Sequence, residues 1–456
     1  MAVTLEHPAE NKMGVMPIRR LLITMSVPMM ISMMVQALYN VVDSIFVAQI
    51  GENALTAISL SFPIQNFMIA VGSGTGVGIN ALLSRSLGEK NTESANKAAS
   101  NGIFLAFLSC LVFMAFGLLG VRSYFRTQTN VAEIIEYGWD YLFICSVFSF
   151  ALFGQITFER LLQSTGKTFY TMITQATGAI VNIILDPILI FGYFGLPKME
   201  MTGAAVATVI GQTIAMLLAI YFNFTKNREI EVVIRGFKPE REVIKRIYAV
   251  GIPTIVMISI GSLMTFGMNK ILLSFTSTAV AVFGVYFRVQ GFVFMPVFGL
   301  NNGMVPILAY NLGARKRARI TGTIKLSMTY AICVMLVGFF ILQLIPDKLL
   351  LLFSASAEML TIGVLAFRII SLSYIFAGFC VVAGSVFQAM GNGMMSLFVS
   401  LARQIGVLLP SAYLLAKFGS VNAVWWAFPI AEIASLISSG IFMKQIYNQE
   451  IRPLPK

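Results

Sequence analysis

Charged residues are scarce in this chain. Of its 456 residues only 11% are Asp, Glu, Lys or Arg, whereas 57% are hydrophobic and the mean hydropathy is +0.82. A soluble protein usually carries about 25% charged residues, so too few polar side chains remain to cover a soluble globule of this length. The composition argues against a soluble enzyme, a disordered chain and a disulfide scaffold. It predicts an all-α integral membrane protein.

Histidine and cysteine are almost absent as well. The one histidine, His7, lies in a polar N-terminal tail. The four cysteines stand in apolar runs, with no Cys-x-x-Cys pair among Cys110, Cys145, Cys333 and Cys380. This pattern excludes a His/Cys zinc site, a haem-attachment motif and a Cys–His catalytic pair. We therefore expect a protein that is not an enzyme and that has no bound cofactor.

The chain also lacks a nucleotide-binding loop. Gly166, Lys167 and Thr168 resemble the end of a P-loop, but Leu161 stands where that motif requires glycine. This argues against an ATP-driven pump, and we expect no nucleotide partner.

Long apolar runs are what the chain has in abundance. A helix that crosses a bilayer needs about 20 mainly apolar residues, and twelve stretches meet this requirement: 21–50, 57–83, 98–121, 137–158, 168–195, 203–224, 247–275, 279–311, 321–345, 359–387, 394–418 and 421–443. Helix is the expected state because lipid-exposed backbone must satisfy its own hydrogen bonds. The predicted organisation is an N-terminal tail (1–20), an N-lobe (21–224), a linker (225–246), a C-lobe (247–445) and a C-terminal tail (446–456).

The basic residues are distributed asymmetrically between the two sets of loops. If both termini face the cytoplasm, 23 of the 32 Lys and Arg residues lie on that side, five lie on the other side and four lie within spans. This is the positive-inside pattern. The net charge of +12 is thus explained by topology, and nucleic acid is not an expected partner. The predicted location is the plasma membrane, with lipids as neighbours.

The two halves of the sequence resemble each other at an offset of 225 residues. Pro28 matches Pro253, Gln65 matches Gln290, and Gln163 matches Gln388. Each half has six spans, an even number, so the halves share one orientation. We predict two six-helix bundles related by a pseudo-two-fold axis along the membrane normal. This arrangement is used by secondary transporters, which move one half against the other around a central site.

Ionisable residues within spans are costly, about 2.5–3.5 kcal/mol each on insertion scales, and suggest function. Asp43 in the first span and Asp186 in the fifth are the clearest examples. Gln36, Asn40 and Asp43 share one helical stripe, and Asn182 lies one turn from Asp186. With Thr208 of the sixth span, the aspartates and Asn182 fall at similar depth. Their oxygens suit a hard cation such as sodium, or the carboxyl groups share a proton. The alternative is that they are interhelical hydrogen-bond partners.

Other polar positions in the spans have weaker signals. Pro187 removes a backbone donor directly after Asp186 and is expected to kink the fifth span. Glu159 and Arg160 form either a snorkelling pair or part of an inner gate. The C-terminal half has no aspartate within its spans but contains Arg288, Arg403 and Glu432, the last two as a possible internal ion pair. We therefore expect any ion site to lie in the N-terminal half.

Several stretches resemble the multidrug and toxic compound extrusion (MATE) family over residues 17–445. They are YNVVDSIFVAQIG (39–51), FERLLQSTG (158–166), NIILDPILIFG (182–192), GAAVAT (203–208), YFRVQ (286–290) and VPILAYNLGARK (305–316). The resemblance implies antiport, in which inward flow of sodium or protons drives drug export. It also implies an N-lobe cation site at Asp43, Asn182, Asp186 and Thr208, with Tyr39, within the first of these stretches, as a supporting residue. Some branches carry a Glu in span 7 and an Asp in span 10; this chain has neither and looks closer to bacterial branches that rely on the N-lobe.

The resulting hypothesis is a monomeric antiporter that exports organic, mostly cationic compounds in exchange for sodium or protons. Sodium, if it is the coupling ion, would bind to Asp43, Asn182 and Asp186, while Gln36, Tyr39, Asn40, Pro187, Glu159 and Arg288 would support the site or the gates. The alternative is a lipid-linked oligosaccharide flippase or polysaccharide exporter of related architecture, which would need a cationic cleft. A membrane-embedded enzyme is disfavoured because no histidine lies within a span.

Overall fold

The computed structural model of the chain describes residues 10–232, 237–353 and 355–455, and every regular element in these ranges is a helix. His7 and part of the predicted 225–246 linker lie outside the described residues. A four-residue helix, α1 (Lys12–Val15), precedes the long helices.

The first half contains α2 (Ile18–Ala48), α3 (Glu52–Gly88), α4 (Thr92–Leu119), a short α5 (Val121–Gln128), α6 (Ala132–Val147), α7 (Phe150–Ser164), α8 (Thr168–Phe191) and α9 (Glu200–Lys226). Helices α6 and α7 are bent by 46° about a two-residue break, and together they are long enough for one span. Among the described residues, the first half thus has six spans. We call residues 18–226 the N-lobe from here on.

The second half contains α10 (Arg241–Leu273), α11 (Ser277–Gly313), α12 (Arg317–Leu344), a short α13 (Pro346–Leu351), α14 (Ala357–Ser371), α15 (Tyr374–Ala389), α16 (Gly393–Leu401), α17 (Leu409–Phe418), α18 (Val421–Val424) and α19 (Ala427–Ile446). Helices α14 and α15 form a second bent pair, at 52°. A π-helical segment, Ala402–Leu408, joins α16 to α17. With each bent pair counted once, twelve spans are described, and residues 241–446 are the C-lobe.

The repeat predicted from the sequence is visible in the helix lengths. Helices α3 and α11 are both 37 residues long and begin at residues 52 and 277, while α4 and α12 are both 28 residues long and begin at 92 and 317. Both pairs start 225 residues apart, and the two bent spans occupy matching places. The prediction of two six-helix bundles related by a pseudo-two-fold axis is confirmed.

Several helices are longer than the apolar runs that predicted them. Helix α2 begins at Ile18 and α10 at Arg241, whereas the apolar runs begin at 21 and 247. A helix continues past the apolar layer until a residue or a turn stops it, so hydropathy underestimates its length.

The backbone of the linker is held on α4, where Asn96 accepts from the N–H of Glu231 at 2.8 Å and Asn101 from the N–H of Glu240 at 3.0 Å.

The lobes meet along a seam formed by α2 and α3 on one side and α10 and α11 on the other. Glycines allow the backbones to approach. A Cβ atom at Gly303 would lie 2.8 Å from the Cα atom of Ser26, and one at Gly74 would lie 2.8 Å from the carbonyl oxygen of Gly251. These contacts lie in the halves of the helices nearer to α1, which we call the tail side of the molecule; the opposite end is the far side.

The segment from Glu10 to Met16 lies across the seam on the tail side. Asn11 donates to the carbonyl oxygen of Thr165 in the N-lobe at 3.1 Å. On the C-lobe, Asn311 donates to the carbonyl oxygen of Met13 at 3.0 Å, and Arg319 donates to the same oxygen at 2.9 Å. The side chain of Met13 is fully buried. This N-terminal segment therefore holds both lobes at once.

Candidate cation site in the N-lobe

Asp43 of α2 and Asp186 of α8 face each other inside the N-lobe. Both are buried, with 8% and 0% of their surface exposed, and their carboxyl groups lie within hydrogen-bonding reach. The Oδ1 atom of Asp43 and the Oδ2 atom of Asp186 are buried without a hydrogen-bond donor among the described residues. Two carboxyl groups in contact require a positive charge or a proton between them, because like charges in a dry interior repel strongly.

Asn182 and Thr208 complete one wall of this site. The amide nitrogen of Asn182 lies 3.4 Å from Oδ1 of Asp186 and 3.3 Å from Oγ1 of Thr208, and its Oδ1 atom is buried without a donor. Helices α8 and α9 come this close because Gly178 and Gly211 lack side chains; a Cβ at Gly178 would lie 3.0 Å from the carbonyl oxygen of Gly211. The two glycines therefore place Thr208 opposite Asn182.

The other residues predicted on α2 divide between two faces. The hydroxyl group of Tyr39 lies within hydrogen-bonding reach of Thr208 and near both aspartates, so Tyr39 belongs to the site. Gln36 and Asn40 are exposed. The stripe predicted from the spacing of Gln36, Asn40 and Asp43 is thus polar throughout but buried only at its Asp43 end.

Three residues beside Asp43 had no functional prediction. Gln65 of α3 donates to the hydroxyl oxygen of Tyr141 at 3.1 Å and lies 4.0 Å from the sulfur of Cys145. Tyr141 and Cys145 are in turn close to the Asp43 carboxyl group. Gln65 had only its match to Gln290 as a signal. Tyr141 and Cys145 stand in an apolar run, where nothing in the sequence distinguishes them from packing residues.

An apolar cluster covers the site from the far side. Val47 follows Asp43 by one turn, Ile190 follows Asp186 by one turn, and both pack with Met201, Ala204 and Tyr141. Val47, Ile190 and Met201 are fully buried. An ion therefore does not reach the aspartates directly through the far end of the N-lobe.

The arrangement supplies oxygen ligands only. Unpartnered oxygens of Asp43, Asn182 and Asp186 lie together with the hydroxyl groups of Thr208 and Tyr39. Hard cations such as sodium prefer such ligands, and a proton shared between the carboxyl groups would neutralise the same pair. Either occupant would offset the cost of burying unpartnered polar atoms.

Glu159 and Arg160 do not pair with each other. The carboxyl group of Glu159 accepts from Thr174 at 2.9 Å and from Gln175 at 2.7 Å, both on α8, and from Gln155 at 3.1 Å. Arg160 points the other way, across the seam, and donates to Asn302 of the C-lobe at 3.0 Å. Glu159 is thus enclosed in the N-lobe, whereas Arg160 joins the two lobes on the tail side.

Of the remaining predicted residues, Pro187 directly follows Asp186, whereas Arg288, Arg403 and Glu432 lie in the C-lobe. Arg288 is exposed, and its guanidinium carbon lies 6.0 Å from the ring centre of Phe353 in the C-lobe. Pro187 lies inside α8, which continues as one helix to Phe191. Arg403 and Glu432 form an ion pair of 3.2 Å within the C-lobe.

Comparison with known proteins agrees with this architecture. The MatE family model matches residues 28–188 and again residues 253–414, and the two matches begin at the 225-residue offset of the repeat. The two segments cover more than half of the chain. The protein is thus a multi-pass membrane transporter rather than a member of an enzyme family. The chain belongs to the MatE family, whose members are known as MATE transporters.

Relatives and solved structures span nearly the whole chain. The multidrug export protein MepA of Staphylococcus haemolyticus is 26% identical over 428 residues, which is 93% of each chain. A protein described as an FAD transporter, from Shewanella oneidensis, is 27% identical over 417 residues, covering 91% of this chain and 92% of the relative. An outward-facing structure of a multidrug resistance MATE family transporter has a TM-score of 0.91 at 23% identity, covering 98% of this chain and all of that one. A MATE structure in complex with MaL6 has a TM-score of 0.90 at 24% identity, with coverage of 97% and 99%.

Proposed function

We propose that this transporter exports organic, mostly cationic compounds in exchange for sodium ions or protons that bind between Asp43 and Asp186. The proposal is carried by the unpartnered, buried oxygens of Asp43, Asn182 and Asp186, which form a cation site inside one lobe of a two-lobe transporter. It is supported by the similarity to MepA proteins, which are described as multidrug exporters.

Helix α2 connects the binding of the coupling cation with the binding of the exported compound. One face carries Asp43 into the N-lobe, another exposes Gln36 and Asn40, and its tail-side half packs on α11 of the C-lobe. A cation that draws α2 toward α8 would change the contact with α11. In this mechanism the exported compound binds between the two lobes, beside the exposed Gln36 and Asn40. Binding of the coupling cation favours the conformation that releases the compound.

The proposal includes the orientation of the chain in the membrane and the source of free energy for export. The tail side faces the cytoplasm, the membrane is the plasma membrane and one chain forms a complete carrier, because both lobes and the site belong to it. Exchange of a monovalent organic cation for one sodium ion or proton moves no net charge, so the concentration gradient of the coupling ion drives it. When the exported compound is neutral, one charge moving inward across about 100 mV supplies about 2.3 kcal/mol. That free energy supports a concentration ratio of roughly fifty, since about 1.4 kcal/mol corresponds to a factor of ten.

The test is efflux of a fluorescent organic cation from proteoliposomes under either a sodium gradient or a pH gradient. We expect one gradient to drive efflux, and Asp43→Asn and Asp186→Asn each to abolish it. Asp347→Asn, an exposed aspartate on α13, is the matched control and should leave efflux unchanged. If efflux survives both site substitutions, the aspartates are structural hydrogen-bond partners and do not bind the coupling ion.

Export of a phosphate-bearing compound is the second candidate, since the relative described as an FAD transporter is as similar to this chain as MepA is. Such a substrate, like the lipid-linked sugar of the alternative hypothesis, requires cationic groups in the cleft; the exposed Arg288 is one available group. Adding FAD and a lipid-linked oligosaccharide to the same liposome assay distinguishes these candidates. Driven movement of either compound in the absence of dye efflux would replace the multidrug proposal.

A further inference from the structure

The C-lobe encloses a charged pair of its own. Arg403 donates from Nη1 to Oε2 of Glu432 at 3.2 Å, and the Glu432 side chain is only 6% exposed. The second oxygen of Glu432, Oε1, is buried without a hydrogen-bond donor among the described residues. The thiol group of Cys380 lies beside this carboxylate, and Tyr286 is close to both members of the pair. The carboxylate therefore has one charged partner and one free oxygen.

This pair lies on the stretches of the C-lobe that correspond to α8 and α9, the two helices that carry Asn182, Asp186 and Thr208 in the N-lobe. Arg403 follows α16, which begins at Gly393, 225 residues after the start of α8 at Thr168. Glu432 lies on α19, and at the same offset it corresponds to Ala207, the neighbour of Thr208. The helices that hold Asn182, Asp186 and Thr208 in one lobe thus have counterparts that hold Arg403 and Glu432 in the other.

The backbone around Arg403, which contacts Glu432, differs from its counterpart in the N-lobe. Gly178, which corresponds to Arg403, lets α8 touch α9 directly. In the C-lobe, Arg403 lies in the π-helical segment Ala402–Leu408, which widens the helix by one residue per turn relative to α-helix. Such segments are rare and occur frequently at functional sites.

We propose that the guanidinium group of Arg403 is a tethered cation that fills a latent cation site at Glu432. As a consequence, only the N-lobe site takes up a free ion in each transport cycle. This inference rests on the proposed coupling site at Asp43 and Asp186. A buried carboxylate needs a positive partner, and a covalently attached one is present at high effective concentration. A free cation at Glu432 would also be repelled by the neighbouring guanidinium.

Counting bound cations tests this inference. Bound sodium is measured by equilibrium dialysis of ²²Na⁺ against the purified full chain, and bound protons are measured in parallel by pH-stat titration of the sodium-free protein. We expect about one cation per wild-type chain, lost in Asp43→Asn, and about two per chain in Arg403→Ala, because the free Glu432 carboxylate then gains an ion. The double variant Arg403→Ala/Glu432→Gln should return the count to about one.

Two further variants keep the test decisive if Arg403→Ala does not fold. Arg403→Lys retains a tethered cation and should bind about one, as should Arg368→Ala, which removes an exposed arginine from the same lobe. Glu432→Gln alone should leave the wild-type count unchanged. A wild-type count of two that falls to one in Glu432→Gln would overturn the inference, as would a folded Arg403→Ala chain that binds one cation. In contrast, an Asp43→Asn chain with an undiminished count would overturn the proposed coupling site instead.

Discussion

Three buried oxygen atoms of the N-lobe site have no hydrogen-bond donor or cation to bind them among the described residues. The oxygens of Asp43, Asn182 and Asp186 lie apart from solvent, and three of them accept no hydrogen bond from the described residues. Such atoms cost free energy until a ligand satisfies them. The contribution of each oxygen should therefore appear in the apparent affinity for the coupling ion more than in the stability of the fold.

Asn182→Ala tests this at one atom. Removal of one oxygen ligand and of the contact with Thr208 should raise the half-saturating cation concentration for efflux by roughly tenfold, because an interaction with a charged group contributes about 1.5–3 kcal/mol. The measurement is dye efflux against external cation concentration. Ser44→Ala, which removes an exposed hydroxyl group bonded to its own helix, should show wild-type dependence; equal curves for both variants would contradict the site.

Glu159 is expected to behave in the opposite way. Its carboxyl oxygens accept from three side chains, and Glu159→Gln replaces one acceptor by a donor that faces other donors. Loss of these buried hydrogen bonds should cost about 1–3 kcal/mol and lower the midpoint of thermal unfolding by several degrees, while the half-saturating cation concentration stays the same. A change in cation dependence without a loss of stability would show that Glu159 takes part in coupling.

Sequence reasoning identified both aspartates of the site together with Asn182, Thr208 and Tyr39, but it missed the residues of α3 and α6 that lie beside them. Asp43 and Asp186 are conspicuous because a charge in an apolar run is costly. Tyr141 and Cys145 are ordinary residues of an apolar run, and they come close to Asp43 of α2 through the tertiary packing of α6 on α3 and α9. Arg160 was predicted near an inner gate or in a pair with Glu159, but its direction toward Asn302 depends on the lobe arrangement.

At the scale of helices, the seam between lobes depends on residues that have no side chain. Because a Cβ at Gly74 would meet the carbonyl oxygen of Gly251 at 2.8 Å, neither backbone can yield without moving a whole helix. By contrast, a Cβ at Gly291 of α11 would meet nothing within 4 Å. The same change, one methyl group, should therefore have different effects at these two positions.

Gly74→Ala should open the tail-side seam. Overpacking typically costs about 1–3 kcal/mol, so the seam should open roughly ten times more often. A cysteine introduced by Ser26→Cys, at a position only 2% exposed, reports this through its rate of alkylation once the exposed Cys333 has been replaced by Ser. Gly291→Ala is the matched control; if it accelerated alkylation as much as Gly74→Ala does, the seam contact would not be the cause.

Helix number and order were predictable because bilayer thickness sets the length of an apolar run, and the 225-residue offset predicted the two-fold relation. The bends between α6 and α7 and between α14 and α15 were not predicted. The sequence there, around 148–149 and 372–373, contains no proline, and the break is not encoded by one conspicuous residue. The π-helical segment at 402–408 was not predicted either, and no proline except Pro410, which follows it, stands nearby.

At the scale of the whole molecule, the N-terminal segment from Glu10 to Met16 joins the two lobes on the tail side, and we call it the brace. The lobes must separate there in an alternating-access cycle. Arg319 of the C-lobe donates to the carbonyl oxygens of Met13 and Met16 in this segment at 2.9 and 2.8 Å. Arg319→Gln should accelerate alkylation of the Ser26→Cys reporter by roughly tenfold, since charge-assisted hydrogen bonds contribute about 1.5–3 kcal/mol. Lys325→Gln, an exposed change on the same helix, should have no effect; equal rates in the two variants would show that the brace does not hold the seam.

The position of this brace in the chain also has a consequence for synthesis. Asn311, which binds the carbonyl oxygen of Met13, is made 298 residues later. Domains fold in order as the ribosome delivers them, so the N-lobe enters the bilayer while the segment from Glu10 to Met16 has its contact with Thr165 but not yet its contacts with the C-lobe. A truncated product that ends before residue 311 lacks the Asn311 contact, so its N-terminal segment is joined to the N-lobe alone.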